Sequence, residues 1–484
     1  MGALAVLALI GRMVVLFALL MLVPLAFALI GRDAAADAFV TGTLATAGLG
    51  LAMSLATRRF RRELQPRDGF MLVGMTWLVL PIFGALPLWL AVPGLSATDA
   101  LFEAMSAFTA TGATALAGLE KLPVSVNVWR CFMMWVGGLG IIVLAVAILP
   151  MLGVGGSQLF KAEITGPMKD QKLTPRIADT ARVIWGTYFL ISLGCFFAYR
   201  AAGMSWLDAF LHMCTTVSLG GFSSYDASFG HWNSPVIEAV AIVFMMLSGV
   251  SLVLYFMAWR ARTLRVLWRN AELRAFYAAI GGSIVLIAGY LVANGTYGSG
   301  LEALRHTAFH VVSIATTTGY ASYDYAQWPL FAPLLMILLG CFATCAGSTG
   351  GGIKMVRMLL LLKQARRELV RIVHPNVVNP VLLGSQPVSD RLMQSVIAYM
   401  MMYGASLVGL TMVLLFSGLD VVTAFTAVIA CINNIGPGLG DVGPAVNYGG
   451  LSDFQTWVCT FAMVLGRLEL LAVLVLFTPQ FWRR

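Results

Sequence analysis

LEALRHTAFHVVSIATTTGY, residues Leu301–Tyr320, decides how this chain is read. The stretch opens with an acid, Glu302, runs on as helix-compatible sequence, and ends in Thr317, Thr318 and Gly319. A helix of about 14 residues is roughly 21 Å long, too short to cross a hydrocarbon core of about 30 Å. The acid complements the positive end of such a helix. The negative end then points inward, where it can favour a cation.

Three other stretches share this plan: TDALFEAMSAFTATGAT (Thr98–Thr114), WLDAFLHMCTTVSLGGF (Trp206–Phe222) and LDVVTAFTAVIACINNIGPG (Leu419–Gly438). Their opening acids are Asp99, Asp208 and Asp420, and their closing glycines Gly112, Gly220 and Gly436. The closing glycines of the four stretches lie 99 to 117 residues apart. A period near 100 residues marks an internal repeat of one structural unit.

Long apolar runs flank each stretch, among them Met71–Val92, Val183–Ala198, Val236–Trp259, Ala278–Val292, Ile397–Phe416 and Val458–Phe477. Hydrophobic residues make up 59% of the chain and charged ones 11%, with mean hydropathy +0.86. A soluble domain carries about 25% charged residues. Runs of roughly 20 apolar residues without strict alternation read as spanning helices, not barrel strands. The run Leu4–Ile30 is too long for a signal-peptide core, and a second run, Ala38–Ala56, follows it, so it is read as a retained helix.

The net charge of +9 sits in short clusters between the runs. They are Arg58, Arg59, Arg61, Arg62 and Arg67; Lys161, Lys169, Lys172 and Arg176; Arg260, Arg262, Arg265, Arg269 and Arg274; Arg357, Lys363, Arg366, Arg367 and Arg371; and Arg483 with Arg484. That distribution speaks for orientation and against nucleic-acid binding: by the positive-inside rule every cluster, and the C-terminus, is cytoplasmic. Asp99, Glu103, Asp208, Asp226, Asp324, Asp420, Asp441 and Asp453 fall in the loops between, which then face outside. Two crossings separate neighbouring clusters, so each Thr/Gly stretch enters from outside and returns there. The expected fold is all-α, with four helix–pore loop–helix repeats forming a pseudo-tetrameric pore after two extra N-terminal helices. The boundaries are 1–66 for the extra pair and 67–155, 173–262, 272–372 and 388–484 for the repeats.

Non-helical backbone at membrane depth is tolerated only where it is buried in protein or lines a water-filled path. Glycine lets successive carbonyls turn the same way, and a ring of carbonyls can replace the hydration shell of potassium. The carbonyls placed at the ion are those of Thr111, Gly112, Leu219, Gly220, Thr318, Gly319, Ile435 and Gly436. In the second loop Gly220 and Gly221 are adjacent, and the sequence leaves the register open by one residue.

SAFTATGAT, TTVSLGGFS, SIATTTGY, NNIGPGLG and GSTGGGIK together resemble the Trk/Ktr/HKT superfamily of potassium transporters, nearest the bacterial Trk-type pore subunits. The resemblance covers essentially the whole chain. It implies a homodimer in the cell inner membrane with one pore per subunit. It also implies control by a cytoplasmic nucleotide-binding regulatory subunit of the TrkA type. In some plant relatives a serine replaces the first filter glycine and accompanies sodium transport; Gly112 at that place points to potassium. The fourth loop departs most, with Asn433, Asn434 and Pro437.

Apolar sequence from Trp328 to Leu362 is interrupted by CAGSTGGG, Cys345–Gly352. Consecutive glycines with Ser348 and Thr349 break a helix. Gly347, Ser348, Thr349, Gly350, Gly351 and Gly352 are read as a mobile loop crossing the pore below the filter. Arg467, inside the apolar run Thr456–Phe477, is expensive there and needs a partner. The expected partners are loop carbonyls around Gly347–Gly351, with Glu469 on a different face. Arg467 would hold the loop closed and add a positive barrier. Lys354 belongs either to the same cavity or to the inner surface. Gly137, Gly138 and Gly140 are read as close helix packing.

Seven cysteines fit no metal or disulfide framework. His212, His231, His306, His310 and His374 show no ligand spacing, and packing or hydrogen bonding near the filter is expected of them. No nucleotide-binding glycine fingerprint follows a strand, so a nucleotide would act through a partner. Ser348 and Thr349 lack a base, and no enzyme is expected. The competing reading is a proton- or sodium-coupled cation symporter. Such proteins favour inverted repeats and midplane acids, whereas these repeats share one orientation. The basic clusters serve either as a docking surface for a regulator or as topology anchors alone.

Overall fold

The computed structural model describes residues 2–60, 66–140, 177–384, 386–468 and 470–482. The basic cluster 161–176, Arg61, Arg62, Glu469, Arg483 and Arg484 lie outside them, as does 141–155 of the first expected repeat.

Among the described residues the regular structure is helical apart from a two-stranded antiparallel hairpin, β1 (Leu382–Leu383) with β2 (Gln386–Pro387). Helices α1 (Gly2–Leu20), α2 (Leu22–Gly31) and α3 (Ala36–Ala56) form an N-terminal hairpin. One order of elements then recurs. The first set is α4 (Pro66–Ala91), α5 (Ala97–Phe108) and α6 (Val124–Leu139). The second is α7 (Ile177–Ala201), α8 (Trp206–Val217), α9 (Pro235–Ser248) and α10 (Leu252–Arg260), with α11 (Arg265–Arg269) leading on. The third is α12 (Ala271–Ala293), α13 (Gly300–Ala315), α14 (Phe331–Gly340) and α15 (Met355–Val373). The fourth is α16 (Asp390–Phe416), α17 (Val421–Ile432), α18 (Asp453–Arg467) and the short α19 (Leu470–Leu474) and α20 (Pro479–Trp482).

Among the described residues six helices are long and apolar enough to cross a membrane, or seven if α9 and α10 form one span. The sequence predicts two full spans per repeat, and the second span is where the structure differs. Val236–Trp259 is not one rod, because α9 and α10 meet at 81° around Gly249–Ser251. Helix α6 ends at Leu139 before Gly140 with φ of 82°, α14 ends at Gly340, and α18 ends at Arg467. The sequence marks only the third second helix as broken; all four end or bend after a comparable run.

Glycines at these breaks let backbones touch. A Cβ on Gly137 would overlap the Phe108 carbonyl, and one on Gly466 the Ile432 carbonyl. Gly138 lies against Ser218. The expected close packing at Gly137 and Gly138 is therefore what the structure has. The short helices α5, α8, α13 and α17 form the buried centre. Helix α8 packs against α6, α13 against α9, and α5 against α18, so each leans on the second helix of the preceding set.

Candidate functional site

The four short helices end in one common pattern. The amides of Thr111, Gly220, Thr318 and Ile435 each donate to the carbonyl five residues back, those of Ser106, Thr215, Ser313 and Ala430, at 2.8–3.0 Å. One residue earlier, Ala110, Leu219, Thr317 and Asn434 all have positive φ, between 53° and 62°. One residue later come Gly112, Gly221, Gly319 and Gly436, with φ of 83°, 75°, 86° and 96°. Side chains rarely adopt that conformation, so glycine is needed there.

These marks fix the register of the second loop. Gly220 stands where Thr111, Thr318 and Ile435 stand, and Gly221 where the closing glycines stand. The pairing of Leu219 with Gly220 is thus one residue early: Leu219 matches Ala110, Thr317 and Asn434.

The loops meet in a closed ring. A Cβ on Gly112 would overlap the Gly220 carbonyl oxygen, one on Gly221 the Thr318 oxygen, and one on Gly319 the Ile435 oxygen. A Cβ on Gly436 would lie 2.9 Å from the Thr111 oxygen. The order one–two–three–four–one brings four backbone carbonyls together in a buried place. Such a ring can coordinate a dehydrated cation without any side-chain charge. Among the described residues no group of three His, Cys, Asp or Glu could hold a metal ion.

Above the ring opens a vestibule of about 80 Å³, lined by Gly112, Gly221, Gly319, Pro437, Arg130 and Asn447 among others. Helix starts face that side. Ser96 and Ser205 accept from the amides of Asp99 and Asp208, and Asp420 caps α17 itself. The Thr423 hydroxyl and amide hold the Asp420 carboxyl below its usual range.

Below the ring lies the glycine-rich segment. The Gly351 amide donates to Thr317 Oγ1 at 3.0 Å, and a Cβ on Gly351 would overlap the Asn433 carbonyl. Thr349 Oγ1 donates to the Val217 carbonyl at 3.0 Å. Glu272 on α12 accepts from the Ala346 and Val356 amides at 2.7 and 3.2 Å, gripping both limbs of the segment. Lys354 is buried and its Nζ donates to the Gly350 carbonyl, which places it in the cavity and not on the inner surface.

Arg467 donates from Nη1 to the Thr349 carbonyl at 2.8 Å and from Nη2 to the carbonyls of Gly137, at 2.7 Å, and Gly138. The sequence names the loop carbonyl and misses the two on α6.

Other residues at the site went unmarked. Glu103, expected in an outer loop, is fully buried on α5 and paired with Arg130 at 2.6 Å. Arg130 also bonds Asn127, Thr114 and the Ser223 carbonyl. Both are lone charges in apolar sequence, the signal that exposes Arg467. The Tyr320 hydroxyl contacts Thr215 and Thr216, and Tyr448 bonds the carbonyls of Thr114 and Gly436. His212 and His310 hydrogen-bond beside the ring, as expected.

A model of the family described as TrkH, cation transport protein, matches residues 36–484. The Trk system potassium uptake protein TrkH of Halomonas elongata is 43% identical over 484 residues, covering 99% of each chain. Its Escherichia coli counterpart is 42% identical over 480 residues, again covering 99% of each. The crystal structure of the potassium transporter TrkH from Vibrio parahaemolyticus superposes with TM-score 0.90 at 38% identity over the full length of both chains. All are named as transporters and none as an enzyme. On the full-length match in sequence and fold, this chain belongs to the TrkH family of cation transport proteins.

Proposed function

We propose that this protein takes up potassium ions across the cell inner membrane through one gated, channel-like pore built from its four repeats. The observation that carries the reading is the closed ring of Thr111, Gly220, Thr318 and Ile435 carbonyls, each backed by a positive-φ glycine. The ion sheds water into this ring and that of Gly112, Gly221, Gly319 and Gly436. The names of the full-length relatives, potassium uptake proteins, support the choice of ion.

Below it, Gly347–Gly352 obstructs the path, and Arg467 ties the obstruction to α6 and α18. A cation passing there meets a fixed positive charge and a backbone plug. Conduction therefore requires the segment to leave, breaking the bonds of Arg467 and Thr349. The arginine-rich ends face the cytoplasm. The protein acts as a homodimer, and a cytoplasmic nucleotide-binding subunit of the TrkA type supplies the free energy that moves the segment.

The test is uptake of radioactive rubidium into liposomes holding the purified protein. Uptake driven by its own gradient, blocked by potassium and not by sodium, is expected. A requirement for a proton or sodium gradient would replace the pore by a coupled symporter.

A further inference from the structure

The residue eight positions before each ring carbonyl is buried on its short helix: Glu103, His212, His310 and Ala427. A helix packed in a buried interior has no need of polar side chains there, yet three of the four are polar. Each of those three reaches the strand that leaves the ring. Glu103 accepts from the Ala115 amide at 3.0 Å and from Thr114 Oγ1 at 3.0 Å. His212 Nε2 lies 2.9 Å from Ser223 Oγ.

His310 Nε2 lies 3.2 and 3.3 Å from the Ser322 and Tyr323 amides and 3.1 Å from the Tyr323 carbonyl. Either protonation state of that nitrogen keeps a bond to the strand. In the fourth set Ala427 offers nothing, and its neighbour Thr426 takes over: Oγ1 donates to the Val422 carbonyl of its own helix at 2.7 Å and accepts from the Leu439 amide at 2.9 Å. Ala115, Ser322 and Leu439 all stand four residues beyond the ring carbonyl.

We infer that Glu103, His212, His310 and Thr426 are positioning residues, each clasping the outgoing strand of its loop and so fixing the ring diameter on which potassium selectivity depends. The inference rests on the ring being the ion site. A loop whose carbonyls are held at one end by its helix and at the other by a clasp cannot contract around a smaller ion. Removing a clasp frees one quarter of the ring. Selectivity falls while the pore still conducts. The set needs no common chemistry, only an acceptor facing the outgoing strand, which accounts for a carboxylate and two imidazoles in equivalent places and a hydroxyl one residue away. It also explains why the Glu103 carboxylate is neutralised by Arg130, since a bare charge beside the ring would bind cations too tightly to pass them.

The experiment measures rubidium uptake into proteoliposomes with competing potassium or sodium, for His310→Leu, His310→Gln, Thr426→Val and Gly319→Ser. His310→Leu is expected to lower the preference for potassium over sodium about tenfold, the equivalent of one unsatisfied amide. His310→Gln, whose amide again offers an acceptor and donors, is expected to restore most of it. If His310→Leu does not fold, Thr426→Val, which keeps shape and loses the acceptor, decides by the same loss. Unaltered selectivity in both clasp variants, or equal loss in His310→Leu and His310→Gln, overturns the clasp. Gly319→Ser separates the two readings. If it alone loses selectivity, the ring stands and the clasp falls; if it too keeps selectivity, the ring itself is not the ion site.

Discussion

Adjacent glycines in the second loop carry unequal demands. Gly221 has φ of 75°, and a Cβ there would overlap the Thr318 carbonyl oxygen across the ring. Gly220 is not among the positive-φ glycines, and the atoms nearest its Cβ belong to the side chain of Met134, which adapts more readily than backbone. Gly221→Ala therefore combines left-handed backbone strain of roughly 1–2 kcal/mol with displacement of a ring carbonyl. It is predicted to abolish the potassium preference in rubidium uptake. Gly220→Ala should shift it less than several-fold. Equal loss in both would return the register to Leu219 and Gly220. The sequence offers Gly-Gly and no means of choosing, because backbone dihedrals, not residue type, tell the two apart. Lone charges are legible where dihedrals are not. Arg467 stands out by its cost in apolar sequence, and Arg130 and Glu103, the buried pair behind the first loop, carry the same signal.

At the scale of elements, the short helices and their loops were readable because four imperfect copies share one plan. The second helices were less so. GSTGGGIK announces a break, while Gly137, Gly138 and Gly140 read equally well as close packing; the bend at Gly249–Ser251 and the end at Gly466–Arg467 each rest on a single glycine that also occurs in unbroken helices. What breaks them is tertiary: at each point a short-helix carbonyl or a neighbouring loop occupies the path. The glycine-rich segment is held partly by its own Thr344 and Lys354 and partly from outside by Glu272. That carboxylate accepts the Ala346 and Val356 amides at the two limbs. Glu272→Ala leaves two buried amides without an acceptor, each costing about 1–3 kcal/mol. The segment should loosen, raising rubidium uptake several-fold in the absence of any regulator and lowering the thermal midpoint in detergent. Glu272→Gln keeps the acceptor oxygen and should change both far less. If Glu272→Ala leaves basal uptake where it was, the segment is held elsewhere.

Across the whole molecule, Thr349 is the node at which all four sets of helices meet beneath the ring. It belongs to the third set. Its hydroxyl donates to the Val217 carbonyl of the second, its own carbonyl accepts from Arg467 of the fourth, and Arg467 also reaches the Gly137 and Gly138 carbonyls of the first. If the segment is the proposed plug, its ties to four bodies let it move only when they rearrange together, as the proposed regulation requires. Two substitutions probe the node from opposite sides. Arg467→Ala removes the fourth and first ties at once and should raise unregulated rubidium uptake about tenfold or more, for the loss of charge-assisted bonds of about 1.5–3 kcal/mol each. Thr349→Val removes only the tie to the second set and should raise it less. Because both release the same segment, the double variant should fall short of the product of the singles, with a coupling of about 0.5–3 kcal/mol. Strict multiplication of the two effects would mean that the ties act on separate bodies. The segment would then not move as one, and the proposed route from a cytoplasmic partner to the proposed gate would have to run through some other element.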